Sequence, residues 1–521
     1  MKKRLFGLCA ILIAFALLIH PPLAAGKKEP RLDPKDFSAF VHKTLSEWKV
    51  PGVAIAVVKE GKVILAEGYG FRDIKNQLKV TPQTLFAIGS SSKAFTATAV
   101  GILVDEGKLD WNKRVRDYLP TFQLQDEFAT EQMTPRDLLC HRSGLPRHDL
   151  VWYGSSLSRK ELFDRMRYLE PKADFRTLFQ YNNFMFLTAG YLAGEVTHST
   201  WEDVVRTRIF EPLGMKDSDF SVEDSRKQPD HTLPYGEKDD KVTEIPFRNL
   251  DAMGPAGSIK SNVLDMAQWV LLNLHKGKMG DKQVISESSL AEIQSPQMVV
   301  QEGVFRILEK FPEMFTTSYG LGWFITNYRG HTWLHHGGNI DGFSAFVTFL
   351  PRDDLGVVVL CNKNGTDLPE IVALNIYDRL LGLDQVPWSA RIKEIRDKRK
   401  AEAEKRKAEV DKDRKPGTKP SHPVGDYAGD YCHPAYGTLS IRQDGEGLKA
   451  SRNGLEYSLA HYHFDVFDLK NEETGLKLKA SFALDLKGNV ASVSIPFAPG
   501  VKDIVFMRAP DKAAGGQTPA K

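Results

Sequence analysis

The sequence predicts an α+β fold, with helices flanking one antiparallel sheet, followed across a charged linker by a small all-β domain. Three observations carry this. Between Ser318 and Cys361 the hydrophobic period is two, in runs broken by turn residues. Ahead of them stand stretches of helical composition with capping residues at their starts. From Tyr427 to Met507 short alternating runs return, separated by Asp444-Gly445, Asn453-Gly454 and Lys487-Gly488-Asn489. At 521 residues, 42% hydrophobic and 26% charged, the chain is ordinary globular material with room for two or three domains. A formal charge of +3 carries no nucleic-acid footprint.

In chain order, Lys2, Lys3 and Arg4 precede an apolar run from Leu5 to Ile19 and then Pro21-Pro22-Leu23-Ala24-Ala25-Gly26. This is the order of a secretory signal peptide, residues 1–25, with a core short for a membrane span. It implies a periplasmic or secreted protein, with a membrane role only if the segment stays uncleaved. Cys140, Cys361 and Cys432 are odd in number and widely spaced, so neither a disulfide framework nor a zinc spacing follows.

Val53 to Tyr69 reads as a hairpin turning at Glu60-Gly61. A β-leaning entry then reaches Gly89, and a helix almost free of charge runs to Asp105, where Gly107 can end it. Ser90 and Lys93 stand one turn apart on one face of that helix, a reach at which an amine can take a serine proton. A hydroxyl in the first turn also sits near free N–H groups and the positive end of the helix dipole, which suit an oxyanion. The bland alternative is a capping serine beside a solvated lysine. Against it, a lysine in an apolar helix must be paired, neutral or at work.

Thr134-Pro135 opens a short helix that ends at His141-Arg142-Ser143-Gly144-Leu145-Pro146, where His141 reads as a residue fixing the turn. Tyr181 and Asn183 lie two apart at a helix start, where both can point into one cleft or serve as aromatic filler and cap. Met253 to Ser258 reads as a flexible loop, and Ser261-Asn262 caps a helix through Leu274. Then follow strands over Ser318–Ile325, His331–His336, Phe343–Leu350 and Val357–Cys361. His331, His335 and His336 suggest a metal, but on a strand residues four apart lie roughly 13 Å from each other and neighbours face opposite ways, so no metal site is expected. Gly337 and Gly338 mark either a close backbone approach or a bulge. From Arg391 to Lys415 Lys, Arg, Glu, Asp and Ala dominate, with helical pairs Glu394–Lys398 and Glu402–Arg406, a solvated linker ended by Pro416-Gly417.

Ser90-x-x-Lys93, Tyr181-x-Asn183 and His336-x-Gly338, in that order and with Gly342-Phe343-Ser344 and the His141 turn, resemble the serine β-lactamase and penicillin-binding-protein superfamily. The similarity is to its class C β-lactamase-related branch, which includes D-aminopeptidases, DD-carboxypeptidases and esterases. It implies a helix-flanked antiparallel sheet, a second helical lobe and a site between them. Ser90 would be the acylated nucleophile, Lys93 and Tyr181 the base pair, and Asn183 a substrate hydrogen-bonding group. The backbone N–H groups of Ser90 and Asn339 would form the oxyanion hole. His336 and Gly338 would line the strand against which substrate lies. No cofactor is implied. The tail resembles the lipocalin-like β-barrel appended to some of these peptidases.

The domains expected are residues 1–25 (signal), 30–388 (hydrolase), 389–422 (linker), 423–510 (barrel) and 511–521 (disordered tail). An ammonium about 5 Å from the Tyr181 phenol, at an effective dielectric near 20, favours the phenolate by roughly 3 kcal/mol. Tyr181 could then accept the Ser90 proton near neutrality, the alternative being a neutral Lys93 as base. Where the family usually places lysine this chain has His336, mostly neutral at pH 7, which holds a carboxylate less firmly. The expected activity is hydrolysis of a small ester, peptide or wall-derived substrate, D-aminopeptidase- or esterase-like. The alternatives are a DD-carboxypeptidase or β-lactamase and, in another class, a ligand-binding barrel beside a vestigial hydrolase. The barrel could also shield the site.

Overall fold

A computed structural model describes residues 31–301 and 311–510; the signal segment and the 511–521 tail lie outside the described residues. Its centre is a nine-stranded antiparallel sheet. The order runs Met298–Val299, Thr317–Tyr319, Phe324–Tyr328, His331–Ile340, Phe343–Leu350, Leu355–Cys361, Gly52–Lys59, Lys62–Asp73 and Leu78–Lys79. The N-terminal hairpin thus joins the sheet edge-on to the last of the later strands, Val53 opposite Cys361 and Lys59 opposite Leu355.

Gly52–Lys59 is buried on both faces, which explains its continuous apolar run. Ala54, Ala56 and Val58 face a core shared with the helix Ser92–Asp105. Val53, Ile55 and Val57 face a second core built from helices Pro34–Trp48 and Leu368–Leu380. The first of these helices is capped by Asp33, which accepts from the Asp36 N–H, and buries Phe37, Val41, Leu45 and Trp48 along one stripe.

Three expectations change. The run Ser318–Ile325 is two strands, because the chain turns at Gly320-Leu321-Gly322; Gly322 has φ +77°, and a methyl there would lie 2.9 Å from the Lys93 carbonyl oxygen. Met253 to Ser258 is no flexible loop but a helical turn, Gly254–Gly257, started by Pro255 and packed so that a methyl on Gly190 would meet the Pro255 ring at 2.1 Å. The charged helix, Trp388–Val410, is not solvated from its start: Trp388 and Ile392 are buried, the Trp388 indole donates to Asp378, and Arg391 pairs with Glu313. Beyond it the i,i+4 pair Glu394–Lys398 forms at 2.6 Å.

The C-terminal strands, Gly429–His433 through Ile504–Arg508, close into an eight-stranded barrel. Eight strands leave an interior that side chains can fill. Here Tyr427, Tyr431, Phe467 and Phe482 meet ring to ring at 5.0–5.9 Å, and Tyr436, Phe497 and Phe506 at 5.8–6.1 Å.

Candidate active site

Ser90 occupies a 3₁₀ turn, Gly89–Ser91, that feeds directly into the helix Ser92–Asp105. The turn is pressed against the sheet. A methyl on Gly338 would lie 1.8 Å from the Ile88 carbonyl oxygen and 3.2 Å from the Ser90 nitrogen, and one on Gly89, at φ +50°, would lie 2.9 Å from the Asn339 nitrogen. Gly338 therefore marks a close approach and not a bulge. Two facing glycines allow the nucleophile turn and the strand this close an approach, and Ser90 and Asn339 line the same cavities.

Lys93 is fully buried. Its Nζ lies 3.1 Å from Ser90 Oγ, 2.8 Å from Asn183 Oδ1 and 2.7 Å from the Ala256 carbonyl oxygen. Burial drives its pKa well below the ordinary lysine value; the Arg147 charge acts in the same direction and Asp149 opposes it. Asn183 is the first residue of the helix Asn183–Thr197, capped by Asn182, whose side chain accepts from the Met185 N–H. Tyr181 lies just ahead of the cap, with Lys93 Nζ 4.9 Å from its ring centre. The cap and the two inward-facing groups coexist.

The electrostatics of Tyr181 run opposite to the sequence argument. Its pKa is pushed up to about 12, first by burial, with Arg147 and the Ser90 hydrogen bond only partly offsetting this. Burial disfavours the charged form of both groups, lowering the Lys93 pKa and raising that of Tyr181, which favours the alternative with Lys93 as base over the phenolate.

His336 lines the cavity beside Ser90, but both ring nitrogens are engaged. Nδ1 donates to the Gly337 carbonyl at 2.7 Å, and Nε2 accepts from the Tyr319 hydroxyl at 3.1 Å. Burial holds it neutral, with a pKa of about 3. The other two histidines of this strand have separate partners, His331 with Asp353 and His335 with Thr326. His141 does fix its turn: at φ +59° its Nδ1 accepts from the Asn182 N–H at 3.0 Å, and its carbonyl accepts from Gln180 at 2.7 Å. It thereby sets the backbone that carries Tyr181 and Asn183.

Two charged residues escaped the sequence reading. Asp149 Oδ1 accepts from Asn183 Nδ2 and from the Trp152 indole, each at 3.0 Å, while Oδ2 pairs with Arg147 at 2.6 Å. Arg147, exposed at the cleft mouth, lies over the Tyr181 ring at 5.1 Å. Their signal was the position of Arg147-His148-Asp149 directly after the His141–Pro146 turn. Two cavities meet at Ser90. One of about 220 Å³ is lined by Trp152, Tyr153, Leu250 and Met253 as well as Asn183 and Asn339. The other, about 560 Å³, follows the strand from His336 to Asn339 toward Thr366 and Glu370.

A serine at the head of a helix, a lysine one turn on, and an antiparallel sheet strand along the cleft define a serine β-lactamase/transpeptidase-like fold. The model of the Beta-lactamase family matches residues 37–378, and the chain belongs to that family, whose members are serine hydrolases. Residues 413–508 match a domain of unknown function, DUF3471. An unguisins hydrolase, ungD', of Aspergillus campestris is 30% identical over 507 residues, 92% of each chain. Two solved structures share the fold. An octameric penicillin-binding protein homologue from Pyrococcus abyssi aligns over 91% of this chain and 100% of its own (TM-score 0.58, 22% identity). A class C beta lactamase from Rhodobacter sphaeroides covers 66% of this chain and 98% of its own (TM-score 0.53, 23% identity).

Proposed function

We propose that the protein is an exported serine hydrolase that cleaves an ester or peptide through an acyl-enzyme on Ser90, in the manner of the D-aminopeptidases and esterases of its family. One observation carries this: the surroundings of Lys93 Nζ. A neutral amine has two N–H donors and one lone pair. Nζ lies within hydrogen-bond distance of Asn183 Oδ1, the Ala256 carbonyl and Ser90 Oγ; once deprotonated, it keeps its two N–H groups on the first two and turns its lone pair to the Ser90 hydroxyl. Lys93 is the base.

Ser90 Oγ attacks the substrate carbonyl carbon while its proton passes to Lys93 Nζ. The oxyanion is held by the N–H groups of Ser90 and Asn339. Tyr181, whose pKa burial pushes up to about 12, gives its hydroxyl proton to the departing alkoxide or amine and is reprotonated from Lys93. Water then attacks the acyl-enzyme, its proton returns through Lys93 to Ser90 Oγ, and the acid leaves. The smaller, aromatic-walled cavity suits the acyl side chain and the longer groove the leaving group.

The neutral His336 supplies no cation for a substrate carboxylate on its strand, and the Arg147 charge is already paired with Asp149. This favours neutral esters and peptides over β-lactams. The test is parallel turnover of p-nitrophenyl esters and a cephalosporin: esters are expected to be cleaved far faster, and comparable rates or a long-lived penicillin adduct would favour the carboxypeptidase or β-lactamase reading. The ring-to-ring packing inside the barrel speaks against a ligand carrier. Export rests on the order of residues 1–26.

A further inference from the structure

The barrel is joined to the site by a short series of contacts. Among the described residues the loop carrying Asp149 has no strand partner; it is a single 3₁₀ turn, Asp149–Val151, entered through His148 at φ +46°. Three barrel residues hold it. The Tyr436 hydroxyl donates to His148 Nδ1 at 2.8 Å, while His148 Nε2 donates to the Glu170 carbonyl at 2.9 Å, which fixes the ring on both sides. Arg452, only 3% exposed, donates to the Leu150 carbonyl at 2.6 Å and the Tyr436 carbonyl at 3.1 Å, and its guanidinium lies over Tyr436 and Phe497. Asn453 Nδ2 reaches the carbonyls of Leu150 and Val151 at 3.3 and 3.1 Å.

The fit leaves no slack, since a methyl on Gly154 would meet the Asn453 carbonyl oxygen at 2.5 Å. A second barrel turn also holds the hydrolase part: Glu473 pairs with Arg248, and the Glu472 carbonyl accepts from Lys238 at 3.1 Å. Arg248 in turn approaches Asp341 at 3.6 Å, to which the Tyr153 hydroxyl donates at 2.9 Å.

We infer that the C-terminal barrel is a brace for the active site: Tyr436, Arg452 and Asn453 are positioning residues that hold the 148–154 loop so that Asp149 orients Asn183, and through it Lys93, while Trp152 and Tyr153 set the depth of the acyl cavity. Arg452 holds the Leu150 carbonyl, Leu150 is bonded to Asp149 along the backbone, and hydrogen bonds then run from Asp149 to Asn183, Lys93 and Ser90. Burying an arginine against main-chain carbonyls and aromatic faces is costly for a loop with nothing to position. The rate consequence rests on the hydrolase reading; the holding of the loop does not.

The test uses the full chain with Asn453→Gly, Tyr436→Phe and both together. Asn453 has φ +50°, so glycine keeps the backbone turn while removing the donor, and Tyr436→Phe removes one oxygen. Hydrolysis of short- and long-acyl p-nitrophenyl esters is measured per fluorophosphonate-titrated site, so that unfolded molecules are not counted. Amide exchange over residues 148–154 is followed alongside. The expected result for the double variant is a kcat per site lower by about three- to thirty-fold, as for misplaced catalytic groups. The short-to-long ester ratio changes, and exchange in the loop is faster. Unchanged kcat, ester ratio and exchange in an active parent overturns the brace. If the parent takes no fluorophosphonate, the hydrolase reading fails, and exchange alone decides whether the barrel holds the loop.

Discussion

Ser90 faces two walls. On one side Gly338 and Asn339 belong to a strand paired through the middle of a nine-stranded sheet, so close to the nucleophile turn that a side-chain carbon at 338 would collide with Ile88. On the other, the 148–154 loop pairs with no strand among the described residues and is held by side chains 288 to 303 residues further along the chain. The first wall is fixed by backbone contact and admits no adjustment. The second is fixed by side-chain hydrogen bonds, to the loop carbonyls and to His148, each replaceable singly. Under the proposed mechanism the oxyanion is held by the rigid wall, and the shape of the acyl cavity is set by the adjustable one.

The largest expected effect comes at the junction of the walls. Lys93→Met keeps the length and removes the base, and hydrolysis is expected to fall by about 10² to 10⁴; a loss below tenfold would transfer the base to another group. Gly338→Ala strikes the rigid wall. The strand or the Ser90 turn must move, at about 1–3 kcal/mol of stability and roughly 10²-fold in rate, read from thermal melting and kcat/KM. A near-silent Gly338→Ala would show that the wall can yield.

Arg147→Met on the adjustable wall should act through charge. Arg147 helps hold the Lys93 pKa down, so its removal raises that pKa. A base must be unprotonated to act, so the acid limb of the pH–rate profile moves to higher pH. The side chain is 56% exposed, so salt should shrink the displacement. A limb that stays in place, or moves to lower pH, at low ionic strength would contradict the assignment of Lys93.

Much of the rigid wall was legible in the sequence. Ser90-x-x-Lys93, the paired glycines Gly337-Gly338 and the period-two runs are local patterns, and local patterns survive in one dimension. The hairpin from Val53 and the strands at 331, 343 and 357 follow from alternation and turn residues for the same reason. The adjustable wall was not legible, because nothing near Asp149 announces that Arg452 and Asn453 will meet it. The Pro34–Trp48 helix went unread although its stripe Phe37, Val41, Leu45, Trp48 is plain once seen. The choice between Tyr181 and Lys93 as base stayed open in the sequence because burial, which raises the one pKa and lowers the other, belongs to the folded enclosure and not to the residue order.

The central claim, an activated Ser90, is tested most directly by the intact mass of the purified protein after a fluorophosphonate, beside Ser90→Ala treated identically. One adduct on the parent and none on the variant is predicted. No adduct on a demonstrably folded parent, or an equal adduct on the variant, would contradict it.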